Sequence, residues 1–215
     1  MLSILMEFEL MLTAFTASLL LITISELGDK TFFIGLILAT RYPRRWVFAG
    51  VVSALAAMTL LSVLIGQAIA FLPKVYVYYA EIFLFLLFGT KLLVDAWKMS
   101  DEPNLAILEE AEEAIEKSDK NLKRYSQSWG IFLESFILTF IAEWGDRTQI
   151  ATIALAASNQ VWGVILGAIL GHTICALIAV LGGKFIAGRI SERQITAIGG
   201  MLFYVFAGVA WIEGP

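Results

Sequence analysis

Four carboxylates stand in two copies of one motif, Glu26-Leu27-Gly28-Asp29-Lys30-Thr31 and Glu143-Trp144-Gly145-Asp146-Arg147-Thr148. Each copy reads E-x-G-D-(K/R)-T, and Glu143 follows Glu26 by 117 residues. On a helix, i,i+3 spacing puts Glu26 and Asp29 on one face, and likewise Glu143 and Asp146. If both pairs converge, four hard oxygen ligands surround one point, a set suited to Ca²⁺, Mn²⁺ or Mg²⁺. Thr31, Thr148 and Gln149 would add neutral oxygens. Soft metals prefer thiolate or imidazole, and the chain has one Cys175 and one His172. Copper and zinc are therefore disfavoured, and Mg²⁺, which sheds water reluctantly, suits a dry cage less well.

Lys30 and Arg147 each follow the Glu of their own copy by four residues. They can pair with it or extend to the membrane interface; the spacing leaves both open. The six groups together carry a net charge of about −2, which one divalent cation or two protons would neutralise. Such a site lets metal and protons compete.

The surrounding chain is 59% hydrophobic, only 16% charged, and has a mean hydropathy of +0.81. These values belong to a membrane protein and argue against a soluble catalyst or a nucleic-acid binder. Carboxylates at membrane depth are costly and by default mark an ion or proton pathway. A helix-end cap or an internal salt bridge is the structural alternative for each motif.

Residues 46–72, 161–183 and 194–212 carry no formal charge, and each can cross the hydrocarbon core. Residues 75–97 are apolar around Glu81, Lys91 and Asp95. The stretches 8–40 and 128–157 hold the motifs near their centres. At ~1.5 Å per residue an unbroken helix over 8–40 would far exceed the ~30 Å core. Gly28 and Gly145 are the natural break points. The expected fold is all-α and integral to the membrane. Six spans form two inverted-topology three-helix repeats, with spans 1 and 4 broken at the acidic motif. Residues 1–97 make the first repeat, 98–127 an acidic cytoplasmic linker, and 128–215 the second repeat. The N-terminus has Glu7 and Glu9 and no basic n-region, so the first apolar segment is expected to be retained as a span.

Orientation follows from the basic residues. With the N-terminus outside, eleven Lys and Arg fall in the cytoplasmic segments 41–45, 98–127 and 184–193, and only Lys74 falls outside. Both termini are then non-cytoplasmic. Each half has an odd number of spans, so the second enters the membrane from the opposite side. The 117-residue offset also relates Phe15 to Phe132, Ser18 to Ser135, Gly50 to Gly167 and Gly66 to Gly183. In inverted repeats the substrate site lies at the midplane between broken helices.

Residues 98–127 hold eight acids and five bases. Leu108, Ala111, Ile115 and Leu122 share a face, which predicts a short amphipathic helix. Glu134, nine residues before Glu143, is placed near the cytoplasmic mouth, as an entrance ligand or an interface residue. Glu81 is placed toward the outer mouth. Lys91 and Asp95 most simply pair at i,i+4. Gly163, Gly167 and Gly171 form a helix-packing stripe, His172 reads as a hydrogen-bonded packing residue, and Trp144 as packing for the broken helix. Trp46, Trp97, Trp129 and Trp162 fall at span ends, as an aromatic belt does.

The doubled motif, in two three-span halves joined by an acidic loop, resembles uncharacterised protein family 0016. It is also called the Gdt-type or calcium/cation antiporter 2 family. Both copies match in full: Glu26, Gly28, Asp29, Lys30 and Thr31, and Glu143, Gly145, Asp146, Arg147 and Thr148. The resemblance covers essentially the whole chain. It implies a proton-coupled Mn²⁺ or Ca²⁺ transporter whose acidic residues bind the cation. It also implies a bacterial inner membrane or a thylakoid-type membrane, for a bacterial or already processed chain. The ions are cargo, and no prosthetic group is expected. Enzymatic activity is not expected either, since no nucleophile–base pair or H-E-x-x-H pattern is present. The rival readings are a passive divalent-cation channel and a LysE-like exporter of a small organic solute. Partners are the lipid bilayer, divalent cations and protons; oligomeric state stays open.

Overall fold

The structure is a computed structural model describing residues 2–99, 109–116, 128–186 and 191–214. Among the described residues all regular structure is helical. The elements are α1 (Leu2–Glu26), α2 (Lys30–Arg41), α3 (Arg44–Ile69), α4 (Lys74–Lys98), α5 (Ser128–Ala142), α6 (Arg147–Ser158), α7 (Val161–Ile186) and α8 (Glu192–Glu213). A short helical segment covers 109–116.

Five helical stretches are long and apolar enough to cross a membrane: Ile4–Glu26, Arg44–Ile69, Lys74–Lys98, Val161–Gly182 and Arg193–Ile212. The remaining apolar helix, α5, has 15 residues. At ~1.5 Å per residue it reaches only about 22 Å, and α6 follows it after the second motif. Both motifs interrupt a helix. α1 stops at Glu26 and α2 starts at Lys30, while α5 stops at Ala142 and α6 starts at Arg147. Gly28 and Gly145 take φ of 80° and 82°, a left-handed conformation that side chains resist. Elsewhere helices stop where the chain must turn: Pro43 and Pro73 precede α3 and α4, and neither can extend a preceding helix.

Small residues let the backbones close on one another. Gly163 meets Ala14, Gly167 meets Ser18 and Phe15, and Gly171 meets Ile22 and Thr23, so α7 runs parallel to α1. Gly50 on α3 meets Phe132 and Ser135 of α5, and Gly66 meets Ile153 and Ala156 of α6. The Gly50 contact is the 117-residue counterpart of the Gly167 contact, with the halves exchanged. α4 packs antiparallel on α8, where Gly89 meets Gly200 and Tyr204 and Tyr78 Oη donates to the Trp211 carbonyl at 3.2 Å.

Two apolar cores result. One gathers α2, α3 and α7 with Ala111 and Ile115, so segment 109–116 does present the apolar face expected of it. Leu108 and Leu122 lie outside the described residues. The other gathers residues of α1, α3, α4, α6, α7 and α8. Between them lie the helix breaks. Gln149 Nε2 donates to the sulfur of Met58, near the middle of α3, at 3.0 Å. Cys175 Sγ donates to the Thr23 carbonyl at 3.2 Å from the middle of α7.

Candidate functional site

The two motifs meet. One carboxylate oxygen each from Glu26, Glu143 and Asp146 lie within 4.8 Å of one another, a spacing that a single cation can bridge. Glu26 and Glu143 are only 2% and 3% exposed. Each Glu stands at the end of its half-helix, and a tight turn with two central residues carries the chain past it: Asp29 N donates to the Glu26 carbonyl at 3.2 Å and Asp146 N to the Glu143 carbonyl at 3.1 Å. The left-handed glycine inside each turn makes it possible.

Both Asp residues cap the following half-helix. Asp29 accepts from Lys30 N at 2.7 Å, and Asp146 accepts from Thr148 N at 3.3 Å. The cap and the cluster are therefore compatible for Asp146, which serves in both. Asp29 is not in the group of three. Its second oxygen accepts from Arg147 of the other copy at 3.3 Å.

The threonines tie the carboxylates together. Thr31 Oγ1 donates to Glu26 Oε2 at 3.1 Å and also reaches Glu143. Thr148 Oγ1 lies 3.4 Å from Glu143 Oε2 and 3.1 Å from Asp146 Oδ2, and also reaches Glu26. Glu26 Oε1 is buried without a hydrogen-bond partner among the described residues, a costly state unless a cation or proton arrives. Gln149 Oε1 accepts from Gly145 N at 2.6 Å and so braces the second break. Glu134 is buried in α5, outside the group of three.

Three expected pairings differ. Lys30 does not reach Glu26; its Nζ bonds Glu110 Oε1 of segment 109–116 at 2.5 Å. Arg147 turns to Asp29, and more loosely to Asp146 at 3.8 Å, rather than to Glu143. The physical reason is the break itself, since i,i+4 neighbours face each other only on a continuous helix. Lys91 and Asp95 form no ion pair although α4 is continuous. Lys91 is exposed, while Asp95 lines a 70 Å³ cavity with Gly28, Asp29, Arg147 and Met99. His172 is buried within electrostatic reach of Asp146, and its Nδ1 has no hydrogen-bond partner among the described residues. Trp144 is 64% exposed and packs on Phe140 at 5.9 Å, facing away from the break.

Sequence reasoning missed Asp95 and Ser25 at this cavity. Adjacency to Glu26 could have flagged Ser25; Asp95 was hidden by the simpler pairing with Lys91.

With Lys30 held at Glu110, Arg147 is, among the described residues, the one cation bonded to the motif carboxylates. Four carboxylates and one guanidinium carry about −3 when ionised. Like charges so placed repel, and a divalent cation or protons relieve them.

The family model described as "Divalent cation/proton antiporter GDT1" matches residues 14–100 and 131–215. Each matched segment contains one copy of the motif, and residue 131 follows residue 14 by 117, the motif offset. A GDT1-like protein of Synechocystis sp. is 69% identical over 94% of this chain and 98% of its own length. GDT1-like protein 3 of Oryza sativa subsp. indica is 43% identical, covering 94% of this chain and 75% of its own. The chloroplastic PAM71-homolog of Arabidopsis thaliana is 40% identical, over 93% of this chain and 59% of its own. No solved structure matches the chain.

Proposed function

Because the chain belongs to the GDT1 divalent cation/proton antiporter family, a family of transporters rather than enzymes, we propose that it exchanges Mn²⁺, with Ca²⁺ as a second cargo, for protons. Glu26, Asp29, Glu143 and Asp146 are the cation-binding carboxylates in this reading. The observation that carries it is the convergence of Glu26, Glu143 and Asp146 within 4.8 Å, from two motifs far apart in sequence.

Mn²⁺ and Ca²⁺ accept oxygen-only shells, which Thr31 and Thr148 complete. The cation displaces protons from the carboxylates, and protons arriving later displace the cation. Arg147 bonds Asp29 until the cation arrives and tempers the negative charge, so the site can release what it binds. Gln149 keeps the second turn in shape, and Lys30 is drawn toward the linker.

The remaining architecture is proposed with the function. Residues 1–97 and 128–215 form two inverted three-span repeats joined by 98–127, the short α5 and α6 together making the fourth span. The basic-residue distribution supports cytoplasmic placement of the linker and non-cytoplasmic termini. The cyanobacterial and chloroplastic relatives support a bacterial inner membrane or a thylakoid-type membrane. Glu134 stands toward the cytoplasmic mouth, and Asp95 lines the approach to Asp29.

The test is metal flux in proteoliposomes under an imposed pH gradient, comparing the native chain with Glu26→Gln and Glu143→Gln. Uphill Mn²⁺ movement driven by protons is expected, and each variant should abolish it. Flux indifferent to the pH gradient would refute the exchange, and unchanged flux in both variants would refute the site.

A further inference from the structure

A cavity of about 430 Å³ lies away from the motifs, between α1, α4, the C-terminal end of α6 and α8. On α1 its lining ends at Leu20, six residues short of Glu26, which is roughly 9 Å along a helix. On α6 it begins at Leu155, nine residues beyond Asp146, or roughly 13 Å. Lys74, the first residue of α4, and Gly214, just past α8, line its other end.

This cavity contains a carboxylate that the motif does not use. Glu81 is 5% exposed, seven residues into a helix apolar enough to span a membrane. Asn159, which ends α6, donates from Nδ2 to Glu81 Oε1 at 3.4 Å. The amide oxygen of Asn159 is on the same carbon, so a half-turn of the amide presents it to the cavity in place of the nitrogen.

Two threonines line the same cavity. Thr13 and Thr16 give their hydroxyl protons to the Glu9 and Leu12 carbonyls, each at 2.9 Å. With those protons committed, each hydroxyl has only lone pairs left to offer. Ser158 and Asn159 put the C-terminal end of α6 against the same space, and the partial negative charge of a helix C-terminus favours cations. Lys74 is the one basic residue in the lining among the described residues, and its charge keeps affinity low.

We propose that Glu81 and Asn159, with the oxygens of Thr13 and Thr16, form a second divalent-cation site in this cavity, distinct from the motif carboxylates. It holds the ion between the motif site and the aqueous phase on the Lys74 side. One carboxylate and neutral oxygens make a weak, quickly emptied site, as a way-station requires, whereas the motifs supply three or four carboxylates. The proposal rests on the transport reading above for its role, but the binding itself does not.

Mn²⁺ binding to the purified full chain, followed by equilibrium dialysis and by loss of the free-ion electron paramagnetic resonance signal, tests it. The native chain should show two classes of site. Glu81→Gln should remove the weaker class and keep the tighter one. The double variant Glu26→Gln with Glu143→Gln should do the reverse. Asn159→Asp adds a ligand charge and should tighten the weaker class on the order of tenfold; it decides the matter if Glu81→Gln fails to fold. Unchanged stoichiometry in Glu81→Gln, or unchanged weak affinity in a folded Asn159→Asp, overturns the second site. Loss of both classes in the double motif variant also overturns it as an independent site. Retention of both classes there would instead sink the motif assignment and leave the Glu81 site standing.

Discussion

Gly145→Ala isolates the contribution of the helix break, because nothing but backbone is at stake. A Cβ added there meets no heavy atom within 4 Å, yet φ is +82°. An L side chain in the left-handed region costs roughly 1–2 kcal/mol. The variant can bear that strain, or escape by rotating φ to a negative value. Escape opens the turn in which Asp146 N bonds the Glu143 carbonyl at 3.1 Å, and the Glu143 and Asp146 carboxylates then separate. Apparent affinity falls with the fraction of molecules that keep the competent turn. At 1.4 kcal/mol per tenfold, the strain sets a ceiling of roughly 5- to 30-fold weaker Mn²⁺ binding. Gly145→Asn should lose less, since Asn tolerates the left-handed region better than Ala. Mn²⁺ titration of the purified variants measures the effect, and thermal unfolding confirms that each is folded. Native affinity with no fall in unfolding temperature would show that the turn neither stores the strain nor sets the carboxylate spacing. Equal losses for Ala and Asn would point to side-chain bulk instead of φ.

Gly50→Ala should lower the unfolding temperature, because its Cβ would stand 2.5 Å from the Phe132 carbonyl oxygen and 2.7 Å from Ser135 Cβ. Overpacking of this kind costs about 1–3 kcal/mol, whereas Gly208→Ala, with no neighbour within 4 Å, should leave that temperature unchanged. Arg147→Gln removes the partner of Asp29 and one positive charge from the site; Mn²⁺ should bind several-fold tighter and turn over more slowly, seen as a fall in both KM and maximal flux. An exchange of one divalent cation for two protons is electroneutral and should be indifferent to membrane potential. A flux that follows an imposed potassium diffusion potential would refute that exchange ratio.

The meeting of the two motifs was legible because each costly acidic insertion occurs twice, and a repeat supplies the symmetry that joins them. The positions of the breaks were legible too, since Gly28 and Gly145 are the weakest helix formers in their stretches. The pairings within each motif were not. For Lys30 and Arg147 the spacing left pairing and the interface both open; the glycines switch off the helical pairing, and their partners, Glu110 and Asp29, lie 80 and 118 residues away in sequence. Asp95 was misplaced for the opposite reason. Its helix is intact and permits the Lys91 pair, but Asp95 lines the cavity beside Asp29 while Lys91 is exposed. Trp144 shows a further gap: a motif position says nothing about which side of a turn faces outward.

The glycine seams have a mechanical consequence. α7 is fastened to α1, and α3 to α5 and α6, through backbones too close to slide or part cheaply. Each fastened set draws helices from both halves of the chain, so the halves cannot swing against each other as blocks. The units free to rock are the cross-linked sets; the Gly145 turn joins two helices both fastened to α3, whereas the Gly28 turn joins α1 to α2, which no such seam holds among the described residues. Glu26 sits at the Gly28 turn, so in the proposed reading an ion bound between the motifs would touch a fixed turn on one side and a pliable one on the other, where a small rotation changes its exposure while barely changing its position.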